Sequence, residues 1–232
     1  NDTTEGIFAP WAFYRKDFQD IGGHDPLYAP QSKEDSDIFN RFQLNGIKFV
    51  QTWHGCVYHM TCRGSRRNTK DKAVNIYQDS PEWLAQNKRS TRNFIRKWGH
   101  FVKHDPLMKP IIPPKYDIGF IVKNSQDVQL IEALEPWCTT IYVDASRENY
   151  IELEQKNTLY DLSEKVLPYS NEKNNEVLIQ IDGKLFNQED FKIIQQLSEI
   201  LKDSGQIGEF NLGNLFINII QMNEYQNDLI KL

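Results

Sequence analysis

The chain has 232 residues, 39% hydrophobic, 12% aromatic and 25% charged. Such a length fits one large domain or two small ones, and the composition is that of a packed globular protein, which excludes a disordered chain. A formal net charge of −5 hides an asymmetry: residues 1–115 carry 18 Lys/Arg against 12 Asp/Glu, a balance of +6, whereas residues 116–232 carry 9 against 20, a balance of −11. A basic half suits an anionic ligand such as phosphate, and the acidic half reads as a solubilising or protein-contacting module, not a nucleic-acid binder. Three cysteines, Cys56, Cys62 and Cys138, are too few for a disulfide framework and form no CxxC pair, so a reducing, cytoplasmic setting fits. No apolar run of about 18 residues is present, so no membrane span is expected. The start at Asn1, without Met, suggests a processed or truncated piece.

Along the chain, residues 1–62 mix short strands, turns and one helix. "GIFAPWAFYRKDF" leads into the turn "IGGHDP", and a helix is predicted from about Glu34 to Asn45. "GIKFVQTWHGCVYHMT" follows as one or two strands rich in β-branched and aromatic residues. Residues 63–80 are basic and polar and read as a loop. Ser80 then caps a helix with Pro81 at its first position and Trp, Leu, Phe and Ile at helical spacings toward Phe101. Residues 103–117, with Pro106, Pro110, Pro113 and Pro114, read as a stiff, extended linker. The expected division is therefore 1–104, a linker at 105–116, and 117–232.

Beyond the linker come a strand in "DIGFIVKN", a helix in "SQDVQLIEALEPW", a strand in "TTIYVDA", helical material around 147–166, a strand in "NEVLIQIDG", one helix over "NQEDFKIIQQLSEILKDSG" and a strand in "LFINIIQM". The alternation predicts a small α/β sandwich. No phosphate-binding glycine loop stands out in it.

The chemistry concentrates near "SKEDSDIFNRF". Taken alone, this is a helix start in which Ser32 or Ser36 caps and the acids of the first turn favour the positive end of the helix dipole. Asp37 and Arg41, four apart, read as an intrahelical ion pair. "IGGHDP" is at minimum a turn that needs positive φ. His59 at a strand end is either structural or a ligand, and Arg63, Arg66 and Arg67 are either a solvated loop or an anion clamp. Trp11 and Trp53 are core residues or sugar-stacking surfaces.

Taken together, Arg15, Phe18, Ile21, Gly22, Gly23, Asp25, Glu34, Asp35, Asp37, Arg41, Gly46, Val57 and His59, followed by Lys97, Trp98 and Gly99, resemble the carboxyl-terminal half of the catalytic domain of family 2 glycosyltransferases. The likeness covers roughly residues 7–100 and implies a partial GT-A fold. It also implies a hexosyltransferase-type reaction with inversion, from a nucleotide-sugar donor to a glycan, lipid-linked or protein acceptor. Asp35 is then the general base that takes the acceptor proton, with Glu34 as the other choice. Gly22, Gly23, Asp25 and Trp53 would contact substrate, Arg63, Arg66 and Arg67 would close over the diphosphate, and His59 would ligate Mn²⁺ or Mg²⁺. His24 stands where the family usually has an aromatic residue, and the Asp-x-Asp motif of the donor half is expected before residue 1. A different class remains open: a non-catalytic carbohydrate- or partner-binding module derived from a truncated glycosyltransferase.

Overall fold

A computed structural model describes residues 3–4, 10–52, 54–55 and 79–232. The chain forms two compact units. The first takes residues 1–91, 102–112 and 230–232, and the second takes 92–101 and 113–229.

In the first unit β1 (Thr3–Thr4) pairs antiparallel with β2 (Gln51–Thr52). Between them lie α1 (Arg15–Asp20) and α2 (Glu34–Leu44), and after them α3 (Pro81–Trp98) begins. Ile38 and Phe42, one helical turn apart, put one face of α2 into a core with Ile21 and Phe49. Trp11, Phe18 and Phe39 pack around that core, so Trp11 serves packing. The start of α3 is as its sequence demands: the Trp83 amide donates to Ser80 Oγ at 3.1 Å, and Pro81 occupies the first helical position.

The predicted extended linker is instead a folded-back turn. Asp105 Oδ1 accepts from the amides of Leu107 (2.8 Å) and Lys109 (2.9 Å), the Asp105 amide donates to the Lys109 carbonyl, and His104 pairs with Pro110. An Asp two residues ahead of a potential donor organises such a turn as firmly as prolines stiffen a linker. Pro113 and Pro114 are buried. The units therefore do not divide at 105–116 alone, because residues 92–101 also belong to the second.

The second unit is α/β. Its strands are β3 (Ile118–Lys123), β4 (Thr140–Val143), β5 (Val166–Pro168), β6 (Val177–Asp182), β7 (Gly208–Leu212) and β8 (Leu215–Ile219). They lie in the order β5-β4-β3-β6-β8-β7. The first four are parallel, and β8 and β7 add antiparallel. Five consecutive buried residues in β3 mean that both faces of the sheet are covered there. The helices are α4 (Val128–Leu134), α5 (Arg147–Glu154), α6 (Leu162–Lys165), α7 (Gln188–Gln195) and α8 (Leu197–Ser204). The single helix expected over 187–205 is broken at Gln196, where φ −110° and ψ 7° leave the helical region. The break lets Ile194, Leu197 and Leu201 all reach the same core.

Within this core sits a buried charge cluster. Arg96 meets Glu135 through Nε and Nη2 and meets Glu154 at 2.5 Å, while Lys165 Nζ approaches Glu135 at 3.1 Å and Tyr150 Oη donates to it at 2.8 Å. Burial alone would push the Glu135 carboxyl up. Lys165, Arg96 and Arg92 outweigh burial and hold it far below the usual carboxylate range.

Candidate functional site

The candidate site lies in the first unit, at the start of α2. The residue ahead of this helix is Lys33, in the left-handed region at φ 74°, with no side-chain cap, and Ser32 before it has φ 80°. The expected serine cap is thus absent: Ser32 Oγ is engaged elsewhere, donating to Asn87 Oδ1 at 2.8 Å. Two consecutive non-glycine residues at positive φ are unfavourable and persist only where the surroundings over-determine them.

Those surroundings are one stripe of α3. Gln86 Nε2 donates to the Gln31 carbonyl (2.8 Å), Ser90 Oγ to the same carbonyl (3.2 Å), and Arg89 Nη2 to the Ala29 carbonyl (2.7 Å). Asn87 Oδ1 accepts from Lys33 Nζ as well, at 3.1 Å. Residues 86, 87 and 90 share a helix face by their spacing. The polar stripe holds the carbonyls of the 29–33 loop and so fixes where α2 begins. Sequence reasoning missed these residues, although a polar Gln86, Asn87 and Ser90 at helical spacing was a usable signal.

A cleft of about 470 Å³ opens there, lined by residues 31–36 with Asp79, Trp83 and Asn87. It brings together both acids named from the sequence. Asp35 is exposed, and Glu34 is half-buried, with Oε2 shielded from solvent and unpartnered among the described residues. Lys33 also lines the cleft, and burial, against the pull of Glu34, holds its ammonium below the ordinary lysine range.

Gly22, Gly23 and Asp25 do not line this cleft. Gly22 (φ 85°) and Gly23 (φ 83°) form the left-handed turn that the sequence requires. Arg41 holds that turn, donating to the Ile21 and Gly23 carbonyls at 2.7 Å each. The same guanidinium makes the expected ion pair with Asp37 at 2.7 Å, both side chains fully buried. A Cβ on Gly22 would stand 3.0 Å from Leu232 Cβ. Asp25 accepts from the Leu27 amide at 2.9 Å and caps a short 3₁₀ turn over Pro26–Tyr28. Trp53, His59, Arg63, Arg66 and Arg67 lie outside the described residues.

In the second unit the C-terminal ends of β3 and β6 form the place where open α/β sheets take ligands. The carboxylates there already close loops. Asp144 accepts from the Asn124 and Ser125 amides and from Ser125 Oγ, and Asp182 accepts from Asn124 Nδ2 and the Lys184 amide. Among the described residues no three His, Cys, Asp or Glu side chains stand together as a metal-binding group, and no helix is long and apolar enough to cross a membrane. Comparison with family models, curated proteins and solved structures finds no match for this chain.

Proposed function

We propose that the chain carries the acceptor side of a glycosyltransferase of the family 2, GT-A type. It would move a sugar, with inversion, from a nucleotide-sugar donor to a glycan, lipid-linked or protein acceptor. The observation that carries this is the pair Glu34 and Asp35, set side by side at the mouth of a cleft by a loop that α3 holds in a strained shape.

Sugar transfer needs a base that the acceptor can reach. As the acceptor oxygen attacks the anomeric carbon, its proton passes to the Asp35 carboxylate, the new carbon–oxygen bond forms, and the diphosphate leaves with the electron pair of the bond that breaks. Exposure of Asp35 leaves it accessible to an entering hydroxyl. Glu34 lines the same cleft beside Asp35 and is the other choice for the base. Neutralising the diphosphate falls to Arg63, Arg66 and Arg67 by the family likeness alone. Mn²⁺ or Mg²⁺ with His59 belongs to the proposal on the same ground; the described residues supply no ligand set for it. A cytoplasmic setting is part of the same reading.

Transfer from a panel of nucleotide sugars is the test, scored on wild type, Asp35→Asn and wild type in excess chelator. Loss of turnover by at least about 100-fold in Asp35→Asn is expected of a general base. A variant that keeps more than about a tenth of wild-type turnover removes Asp35 from that role. Sugar binding without transfer from any donor leaves a carbohydrate-binding module instead.

A further inference from the structure

The sheet of the second unit has two ends, and the chain treats them differently. At one end β5 is three residues long, finishes on Pro168, and has its Val166 carbonyl answered by Arg147 Nε at 2.6 Å. A short strand, a proline and a covered carbonyl are the usual means of closing an edge to other strands. β7 stands at the other end, five residues long, without lysine or proline, and with no strand on its outer side among the described residues. Register decides which of its groups face outward. Gly213, at φ 61°, and Asn214 make the two-residue turn between the paired Leu212 and Leu215, and the Asn214 amide pins that turn by donating to Asp190 Oδ1 at 2.9 Å. The pair beside a two-residue turn is hydrogen-bonded, and pairs alternate from there. Phe210 and Gly208 therefore spend their amides and carbonyls on β8, while those of Glu209 and Asn211 point away from the sheet. The Ile220 amide, which donates to the Glu176 carbonyl at 2.8 Å, obeys the same alternation: even-numbered positions along β8 face β6, and odd ones face β7.

A second β7 is the strand that this edge fits. Laid antiparallel about a two-fold axis through Phe210, two copies set Glu209 opposite Asn211 of the second copy, and the reverse. These residues carry the outward groups, so about four backbone hydrogen bonds form. No carboxylate lies directly opposite another, and an amide side chain can donate to the carboxylate it faces. Phe210, partly buried against the core, meets Phe210 of the second copy at a non-hydrogen-bonded position, where side chains come closest and an aromatic pair is favourable. We infer that the chain self-associates through β7 into a symmetric dimer, in which two six-stranded sheets become one continuous sheet. The pairing uses the open edge of both copies and the opposite edge is closed, so association stops at two. A strand pair this short covers less than the roughly 1,000 Å² of a stable interface, so the dimer is weak and reversible. None of this depends on the glycosyltransferase reading.

Sedimentation velocity on the 232-residue chain tests this, over about 1 to 500 µM and in about 150 mM salt, which screens the acidic second halves from one another. The weight-average mass should move from one chain toward two, with a Kd on the order of 100 µM. Asn211 is exposed and supplies the variants. Asn211→Asp puts like charges opposite each other at both symmetric positions and should weaken the dimer about threefold or more, whereas Asn211→Lys puts opposite charges there and should tighten it by a similar factor. Asn211→Pro removes an outward amide while sparing the ladder to β8 and should abolish the dimer. Thermal melts establish that each variant is folded, and the Asp and Lys pair carries the test should the proline variant not fold. A chain that stays monomeric throughout leaves the edge to some other strand and overturns the pairing. So does a dimer whose Kd fails to move in opposite directions in Asn211→Asp and Asn211→Lys, or a folded Asn211→Pro that dimerises as wild type does.

Discussion

Replacing Glu135 by Gln tests whether the second unit depends on its buried charges. The side chain is fully buried, with Arg96 at 2.7 Å, Lys165 at 3.1 Å and Arg92 at 3.5 Å. Glutamine keeps the volume and removes the charge, which leaves Arg92 and Arg96 sharing Glu154 and takes from Lys165 the carboxylate it pairs with. Removing one partner of a buried pair costs about 3–5 kcal/mol, since the charges left behind stay desolvated and uncompensated. For a unit the size of residues 92–101 plus 113–229, that lowers the melting temperature by roughly 10–20 °C. Acid adds an independent check. The folded carboxyl is held far below its ordinary 4.5, so its contribution is fully present above that value and is lost as pH falls through the depressed folded pKa. Glu135→Gln lacks this component, and the stability gap to wild type should narrow as pH drops below about 4.5. Scanning calorimetry with circular dichroism from neutral to acid pH reads both effects. A variant melting within about 3 °C of wild type at pH 7, or a gap that stays constant on acidification, would refute the reasoning.

Arg41→Met should cost about 3–5 kcal/mol, because the buried Asp37 carboxylate loses its cationic partner and the Ile21 and Gly23 carbonyls lose their donor; a urea midpoint unchanged from wild type would contradict this. Lys115 keeps part of its side chain at the surface while its Nζ donates to the Arg96 carbonyl at 2.9 Å, and burial lowers its pKa to about 7. The unfolded chain then binds this proton more readily between about 7 and 10.5, so stability should rise with pH across that window and Lys115→Met should flatten the rise in a pH series of melts. A piece comprising residues 116–232 should melt at least about 10 °C below one comprising 92–232, because it lacks the Arg92 and Arg96 partners of Glu135 and Glu154; equal melting temperatures would show that the end of α3 is dispensable.

Elements specified by neighbouring residues were legible in the sequence. Ser80 with Pro81 announces the start of α3, and the acids at 34, 35 and 37 mark the first turn of α2. Alternation of apolar runs with turns reveals β3, β4, β6 and β8. Strands whose identity comes from pairing were not legible: "GEFNL" became β7 only through its antiparallel register with β8, and the three residues of β5 only by lying beside β4. The proline-rich stretch misled because its turn is made by a carboxylate, Asp105, while the prolines drew the reading toward an extended chain.

The candidate site divides along the same line. The adjacent acids are a local pattern, and so they were visible; the shape of the cleft that presents them is imposed by Gln86, Asn87, Arg89 and Ser90 on a helix far along the chain. Loop residues such as Ser32 and Lys33 carry no propensity for positive φ, and only the donors of α3 make that shape the stable one. The same helix defeats any boundary drawn from composition. Its early turns serve the first unit, whereas Arg92, Ile95 and Arg96 belong to the second. A helix that fixes the site loop at one end and anchors the charge cluster of the second unit at the other has a sequence shaped by both duties, and neither duty can be read from its apolar spacing alone.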